Sequence, residues 1–331
     1  MKEERNRLVA IGEALIDFAP EQAGKPIKDT EKYLPKVGGA PANVCGAFVK
    51  LGGEAVMLTK LGEDPFGDKI TEELASFGID VSHILRTKEA NTSLAFVALH
   101  EDGNREFSFY RNLGADMLYR PEEVPEEVFK EAFALHFCSV SLGDFPMKEA
   151  HRKAIKYAKA AGALISFDPN IRRQLWDSEE ALKKAVDEFI PFADIMKISD
   201  EEMDFITGEK DPKKAAEYLL ERGVSLVLVT LGTEGARVYT KAACAGVGGN
   251  GIKPVDTTGA GDGFIGSFLY ELSLHGIRLD NIAQIQASEW EKYLKFSDCF
   301  CGESIQKKGA IASYITRAEV LQKLKESLAE G

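Results

Sequence analysis

The run Asp256-Thr-Thr-Gly-Ala-Gly-Asp262 places two carboxylates around a pair of glycines. Because the residues from Phe264 to Leu272 have helical spacing, we expect the glycines at a helix N-terminus, where free N–H groups attract anions. Gly259 and Gly261 would let the backbone approach a phosphate without an intervening Cβ. Asp262 then falls in the first helical turn. One helix end could therefore present an oxyanion cradle together with a base for a hydroxyl that attacks phosphorus.

Spacing alone leaves a plainer interpretation open, in which the glycines turn the chain and Thr258 or Asp262 caps the helix. The run is not the phosphate loop that ends in Gly-Lys-Ser/Thr, because it has no such lysine. The segment after the first apolar run, Gly12-Glu-Ala-Leu, lacks the dinucleotide glycine fingerprint. A nicotinamide-dependent enzyme is therefore disfavoured.

Short apolar runs alternate with helical patterns along most of the chain. This alternation predicts a parallel sheet covered by helices on both faces, with ligands at the carboxyl ends of the strands. The predicted strands are Leu8–Ile11, Ala55–Thr59, Ala134–Phe137, Ala163–Phe167, Asp194–Lys197 and Leu226–Thr230, and the predicted helices are Ala42–Leu51, Phe66–Phe77, Met147–Ala161, Glu179–Phe189 and Lys213–Arg222.

Two regions break the alternation and predict a small strand-built lid. Residues 18–37 combine loops with short strands, and residues 92–110 form two apolar runs around the turn signal Asp102-Gly-Asn. A glycine-rich piece, Ala245–Gly251, is expected to be a flexible connection before the Asp256 run. We see no linker between domains.

Composition excludes several classes of function. The net charge is −12, from 41 basic and 53 acidic residues, which disfavours nucleic-acid binding. No apolar stretch approaches the roughly 18 residues of a membrane span, and Leu8–Ile11 is too short for a signal-peptide core. The five cysteines are odd in number and lack metal-ligand spacing, so we expect reduced thiols in a cytoplasmic protein.

Two segments together resemble signatures of the ribokinase-like carbohydrate kinases of the phosphofructokinase-B type. They are Val37–Gly53, which begins Val-Gly-Gly-Ala-Pro-Ala-Asn, and the Asp256–Asp262 run. The resemblance covers nearly the whole chain. It implies an α/β fold: a three-layer α/β/α sandwich with a mainly parallel central sheet and a small β-sheet lid. Residues 1–331 would form one domain, with lid segments at roughly 15–37 and 90–112.

Three shorter segments, Gly12–Asp17, Phe109–Asn112 and Asp168–Trp176, look like the bacterial fructokinase branch of this family. The resemblance implies that Asp262 is the catalytic base beside an anion hole. Sugar contacts would come from the segments on either side of the lid. The implied catalytic residues are Asp262, Gly259, Ala260 and Gly261, and the implied sugar-binding residues are Asp17, Gly38, Gly39, Asn43, Arg111, Asn170 and Arg172.

The same resemblance implies an ATP site and metal positions. Glu202 would reach Mg²⁺ through water, and Asp256 with Thr258 would bind a monovalent cation such as K⁺. Simpler alternatives are turns for the glycines and Asn170, surface ion pairs for the arginines, and a helix-start acid for Glu202. The implied nucleotide-binding residues are Lys197, Ser199, Thr230, Gly232 and Gly235, together with Gly259 and Gly261.

The chain departs from the family pattern in its C-terminal part. Fructokinases tend to read Phe-Ala-Asn-Ala where this chain reads Phe296-Ser-Asp-Cys, so Asp298 replaces an asparagine in a segment that lines the adenine pocket and cation site in relatives. The departure therefore lies where relatives make their adenine and cation contacts. Ala40 and Leu15 replace the lysine and asparagine of ribokinases, which disfavours ribose.

The resulting hypothesis is ATP-dependent phosphorylation of fructose to fructose 6-phosphate, with Mg²⁺. The alternatives are a kinase for another sugar, such as 2-keto-3-deoxygluconate or an aminoimidazole riboside, or a non-catalytic sugar or nucleotide sensor on the same fold. A homodimer through the lid strands would be favoured if Leu94, Phe96 and Ala98 form an exposed apolar face.

Overall fold

The computed structural model describes residues 6–22, 24–99, 105–249 and 251–330. All six strands and five helices predicted from the apolar pattern are present, with ends within two residues of the predicted ones. The strands are β1 (Arg7–Ile11), β2 (Leu15–Pro20), β3 (Tyr33–Gly38), β4 (Glu54–Leu58), β5 (Lys60–Gly62), β6 (Leu85–Thr87), β7 (Leu94–Leu99), β8 (Arg105–Tyr110), β9 (Ala132–Cys138), β10 (Leu164–Asp168), β11 (Ile195–Ser199), β12 (Leu226–Thr230), β13 (Ala236–Thr240) and β14 (Cys244–Val247).

The central sheet has the strand order β14-β13-β12-β11-β10-β9-β1-β4. The six neighbouring strands β12, β11, β10, β9, β1 and β4 pair in parallel. At the other edge, β13 pairs antiparallel with β12, and β14 pairs antiparallel with β13. The prediction of a flexible connection from Ala245 is wrong for its first residues. Ala245 and Gly246 pair with Val238 and Arg237 in β14, because the β13–β14 hairpin supplies hydrogen bonds that a glycine-rich piece lacks alone.

Helices cover both faces of this sheet. Alternate residues of each strand enter different cores: Leu8 and Ala10 of β1 lie in one cluster, whereas Val9 and Ile11 lie in the other. Burial on both faces explains the continuous apolar strands of the sequence. The helices are α1 (Ala40–Lys50), α2 (Pro65–Ser76), α3 (Pro146–Ala160), α4 (Glu179–Phe189), α5 (Asp200–Thr207), α6 (Pro212–Glu221), α7 (Ala260–Leu274), α8 (Ala287–Ser304) and α9 (Arg317–Glu330).

The second sheet, with order β3-β2-β7-β8, forms the lid. One of its faces carries an aromatic cluster in which Phe18 stacks on Phe96, with ring centroids 4.7 Å apart, and meets Phe66 of α2 edge to face. The predicted turn at Asp102–Asn104 lies outside the described residues. None of the described helices is both long and apolar enough to cross a bilayer.

Leu94, Phe96 and Ala98 do not form the exposed apolar face that would have favoured a dimer through the lid strands. Ala98 is fully buried, and Leu94 and Phe96 are partly covered, because the aromatic cluster packs over this side of the sheet. The large apolar side chains that the lid does expose are Leu34 on β3 and Tyr110 on β8. Both lie on edge strands of the lid.

Candidate active site

Two adjoining cavities lie at the carboxyl ends of the central strands. The first cavity, beneath the lid, is lined by residues that include Asp17, Lys36 and Asn43. The second cavity, beside the start of α5, is lined by residues that include Lys197 and Glu202. The residues common to both linings are Asn170, Arg172, Gly259 and Asp262.

The N-terminus of α7 is built around Gly259, which has φ 72° and so adopts the left-handed region that favours glycine. A Cβ on Gly259 would come within 2.9 Å of the Tyr314 hydroxyl, and one on Gly261 within 3.1 Å of Lys197 Nζ. The Thr258 side chain bonds to Asp256, and the Asp262 carboxylate accepts from Asn43 and Asn170, so neither side chain accepts from a first-turn N–H of α7. The plain capping interpretation therefore fails for Thr258 and Asp262. The Ala260 N–H donates to the Thr257 carbonyl at 3.2 Å, which leaves the N–H groups of Gly261 and Asp262 at the second cavity.

The carboxylate of Asp262 is held between two side-chain amides. Asn43 Nδ2 donates to Oδ2 at 2.8 Å, and Asn170 Nδ2 donates to Oδ1 at 3.1 Å. Burial raises the pKa of Asp262, while the Asn43 hydrogen bond and the charge of Lys197 oppose that rise. A buried carboxylate with a raised pKa is a stronger base than one in water, and both amides fix its direction.

A buried ion pair stands behind Asp262. Lys197 on β11 lies 3.0 Å from Asp168 Oδ2, at the end of the neighbouring strand β10, and both side chains are almost fully enclosed. Burial opposes the charged form of Lys197, but Asp168 and Glu202 raise its pKa, so the lysine stays protonated. Lys197 therefore presents a fixed positive charge at the second cavity. Asp168 entered the sequence-based prediction only as the first residue of the Asp168–Trp176 segment, without a role of its own. Its position directly after a predicted strand was the available signal that it lies near the ligand sites.

The loop after β10 is fixed by two carboxylates. Asp168 Oδ1 accepts a hydrogen bond from the Asn170 backbone N–H at 3.1 Å, and Asn170 has the unusual φ of 46°. Glu202 accepts from the Ile171 N–H at 2.7 Å and from the Ser199 N–H at 2.9 Å. Glu202 thus caps α5, lies 8% exposed at the second cavity and holds the loop that carries Asn170 and Arg172.

The first cavity is closed on its lid side by β2 and β3. Asp17 lies opposite Lys36 in their register, and both line the cavity. A Cβ on Gly38 would overlap Asp17 Oδ2, and one on Gly39, at φ 107°, would come within 2.5 Å of the Glu13 carbonyl oxygen. These two glycines are therefore required by close packing around the cavity.

Glu13 is a cavity residue that the sequence did not single out. It is buried, and its carboxylate accepts hydrogen bonds from the Ala40 N–H at 3.2 Å and from Ser141 Oγ at 3.0 Å. Burial raises its pKa to about 7, against the opposing charge of Arg111. Its place directly after β1, at the start of the Gly12–Asp17 segment, was the available signal. Lys36 and Phe107 also line the first cavity without a sequence signal of their own.

Arg111 is placed beside the first cavity and does not appear in the lining of either cavity in the described part of the chain. Its guanidinium donates to Asp116 Oδ2 at 2.9 and 2.5 Å and to the Val140 carbonyl at 3.2 Å. Asp116 also accepts from Ser93 Oγ at 2.5 Å. Ser93 precedes β7 and Arg111 follows β8, so this buried cluster joins the two ends of the lid hairpin, and the bond to Val140 ties it to the central domain.

Thr230 ends β12, and Gly232 and Gly235 lie in the loop that follows it. None of the three is among the lining residues found within the described ranges. Gly232 is exposed, with φ 53°. A Cβ on Gly235 would overlap the Val247 carbonyl oxygen, so packing against β14 requires this glycine. Their predicted nucleotide contacts remain predictions.

Asp256 organises the loop before α7. Its Oδ1 accepts from the Thr258 N–H at 2.9 Å and from Thr258 Oγ1 at 2.6 Å, and its Oδ2 accepts from the Gly309 N–H at 2.9 Å.

The atypical C-terminal segment lies in α8, where Cys301 Sγ donates to the Ala260 carbonyl at 3.1 Å. The departure from the family pattern therefore packs directly behind the start of α7.

Comparisons with known proteins agree with this geometry. The profile of the pfkB family carbohydrate kinases matches residues 5–317. Fructokinase-2 of Solanum lycopersicum is 42% identical over 320 residues, 96% of each chain, and the probable fructokinase-2 of Arabidopsis thaliana is 41% identical over 98% of this chain and 97% of its own.

Solved structures give the same result. The fructokinase of Xylella fastidiosa with bound ATP superposes with a TM-score of 0.87 at 32% identity, over 98% of this chain and 99% of that one. The fructokinase of Vibrio cholerae O395, with fructose, ADP and a calcium ion bound, has a TM-score of 0.84 at 31% identity, over 97% and 99%. The three-layer fold with its β-sheet lid is thereby confirmed.

Proposed function

The chain belongs to the pfkB family of carbohydrate kinases, and we propose that it transfers the γ-phosphoryl group of ATP to the 6-hydroxyl of fructose. The position of Asp262 supports this most directly: its carboxylate lies at the junction of the two cavities, held by Asn43 and Asn170 at the N-terminus of α7. A hydroxyl in the first cavity and a phosphoryl group in the second would meet at this carboxylate.

The first cavity offers a sugar both donors and acceptors. Asp17 accepts hydrogen bonds from hydroxyls, Asn43 and Lys36 donate, and Phe107 and Phe109 provide an apolar wall. Gly38 and Gly39 keep the backbone close to Asp17 and Glu13. This mixture suits a polyol with an apolar ring face.

The second cavity suits a triphosphate. Lys197 and Arg172 supply positive charge, and the first-turn N–H groups of α7 supply donors that favour an anion. Asp262 removes the proton of the attacking hydroxyl while these groups stabilise the charge that spreads over the transferring phosphoryl oxygens. Ser199, which also lines this cavity, lies at the N-cap of α5.

Metal binding fits Glu202 better than any other carboxylate we predicted. Both of its oxygens accept backbone hydrogen bonds, so the group is rigid, and it faces the second cavity with lone pairs left for a metal-bound water. Mg²⁺, when bound to the triphosphate, neutralises phosphate charge. Asp256 and Thr258 would hold K⁺ in the loop before α7. A turnover rate that rises with K⁺ but not with Na⁺ would support that assignment.

Turnover on a panel of sugars tests the substrate. ADP release is measured with fructose, 2-keto-3-deoxygluconate, an aminoimidazole riboside and ribose at equal concentrations, with ATP and Mg²⁺. We expect fructose to give the highest kcat/KM, and ³¹P NMR of the product to show the phosphate on the 6-oxygen. If another sugar is phosphorylated and fructose gives no signal, that sugar replaces fructose as the proposed substrate.

Asp262→Asn distinguishes a kinase from a sugar or nucleotide sensor. We expect turnover to fall by at least roughly a thousandfold, since the base is removed, while fructose binding stays measurable by calorimetry. Near-normal turnover would contradict the assignment of the base. A wild-type protein that binds sugar but releases no ADP with any member of the panel would favour the sensor.

We also propose a cytoplasmic location and a homodimer through the lid. All five cysteines are unpaired, which suits a reducing compartment. Leu34 and Tyr110 expose apolar surface on the two edge strands of the lid and are the best candidates for the contact. Sedimentation velocity of the wild type and of Leu34→Lys would test the dimer, which should dissociate in the variant.

A further inference from the structure

We propose that Phe107, on lid strand β8, is a positioning residue that holds the Arg172 guanidinium at the junction of the two cavities, where Asp262 also lies, and so ties the lid to a charge that acts on the base. This inference rests on the proposed function. Phe107 would act through Arg172 rather than on the reacting atoms. Its effect should therefore appear in the charge state of Asp262 as well as in sugar binding.

The contact crosses from the lid to the central domain. Arg172 Cζ lies 5.9 Å from the centroid of the Phe107 ring, within the range of a cation–π interaction. Its Nη1 donates to the Ile171 carbonyl at 2.9 Å. In the part of the chain that the structure describes, no carboxylate forms a salt bridge with Arg172. The ring of Phe107 is thus a principal restraint on where this long side chain lies.

Arg172 lies where the position of its charge affects both the transferring phosphoryl group and Asp262. It lines both cavities, as does Asp262, so it stands where the phosphoryl group would pass between ATP and the sugar. Burial raises the pKa of Asp262, and the positive charge of Arg172 is one of the forces that oppose this rise. A guanidinium that drifts away would leave Asp262 protonated to a higher pH.

Other groups also act on Asp262, and they come from elements that a change at Phe107 leaves in place. Lys197 and Asp168 form the buried pair behind it, and the remaining groups belong to other strands and helices. Besides Arg172, the described charged or titratable groups that act on Asp262 are Lys197, Asp168, Cys138, Cys301 and Tyr314.

Phe109 provides a matched control. It lies two residues further along β8, stacks on Phe107 with ring centroids 5.7 Å apart, and lines the same cavity. In the register it faces Ala95, whereas Phe107 faces Val97. Both rings should contribute to the apolar wall, but among the described aromatic rings it is Phe107 that contacts Arg172.

The test compares the pH dependence of kcat, at saturating fructose and ATP, for wild type, Phe107→Leu and Phe109→Leu. For Phe107→Leu we expect kcat to fall roughly three- to thirtyfold and the acid limb to move to higher pH by about half a unit to one unit. Phe109→Leu should raise KM for fructose and leave the acid limb in place. Phe107→Trp, which keeps a ring, should restore the wild-type limb.

The Arg172→Met background separates this inference from a general loosening of the lid. There, adding Phe107→Leu should move the acid limb no further. The inference is overturned if Phe107→Leu leaves the acid limb unmoved, if Phe109→Leu moves it equally, or if Phe107→Leu still moves it in the Arg172→Met background. A wild-type enzyme that turns over no sugar would overturn the proposed function and this inference with it, whereas an active wild type with an unmoved limb overturns the inference alone.

Discussion

Asn43 and Asp262 are 219 residues apart in the chain, and Asn43 Nδ2 donates to Asp262 Oδ2 at 2.8 Å. This hydrogen bond joins the start of α1 to the start of α7. The residue proposed to bind sugar therefore also orients the proposed base, so the two functions are mechanically linked.

Replacing Asn43 should change the acidity of Asp262. Asn43→Ala removes a hydrogen bond that favours the charged carboxylate and holds its pKa down. Hydrogen bonds to charged groups contribute about 1.5–3 kcal/mol, so the acid limb of kcat should move up by roughly one to two pH units. The measurement is the pH profile at saturating fructose. An acid limb at the wild-type pH would show that Asn43 does not influence the base.

Breaking the buried pair behind the base should destabilise the protein. Lys197→Met leaves Asp168 buried without its partner, which typically costs about 3–5 kcal/mol of unfolding free energy. Urea unfolding measures this loss. The control is Lys210→Met, which breaks the exposed contact with Asp204 and should cost at most about 0.5–1 kcal/mol. Equal losses for both variants would contradict the role of burial.

Variants of Arg111 and Asp116 distinguish two roles for Arg111: binding the sugar, as the resemblance implied, or holding the base of the lid hairpin in place. Arg111→Met should lower the unfolding free energy by about 3–5 kcal/mol because it strands the buried Asp116 charge. Adding Asp116→Leu removes that charge and should recover part of the loss. If Arg111 held the sugar directly, the fructose KM would instead rise with little change in stability.

Gly38 tests how closely the first cavity is packed. Gly38→Ala adds a methyl group that overlaps Asp17 Oδ2, so Asp17 must move and KM for fructose should rise about tenfold or more. Gly248→Ala is the matched control, because a Cβ there meets nothing within 4 Å and the backbone is not in the left-handed region. An unchanged KM for Gly38→Ala would argue against Asp17 as a sugar ligand.

Glu13 should make stability depend on pH. Its pKa is raised to about 7 from the usual 4.5, so the native state keeps a proton that the unfolded chain releases as the pH rises between these values. The unfolding free energy of the wild type should therefore fall by roughly 3 kcal/mol from pH 4.5 to pH 7, relative to Glu13→Gln, and stay level above that. Parallel pH profiles of the two proteins would show that Glu13 is not held protonated.

The sequence by itself determined the six parallel strands, the five helices named above and the N-terminus of α7. Runs such as Leu8–Ile11 and Leu226–Thr230 predicted buried strands correctly, because a strand covered on both faces must be apolar at every position. The glycines before α7 predicted its N-terminus, since the left-handed backbone at Gly259 favours glycine. These features depend on neighbours in the chain, which is why they can be predicted locally.

The tertiary structure alone decided which side chains meet. Asp168 with Lys197, Ser93 with Asp116 and Phe107 with Arg172 are pairs whose members lie on different strands or loops. Their contacts depend on the register of the sheet and on how the lid packs, which hydrophobic periodicity does not specify. For the same reason the segment at Ala245 became a strand only because β13 was there to pair with it.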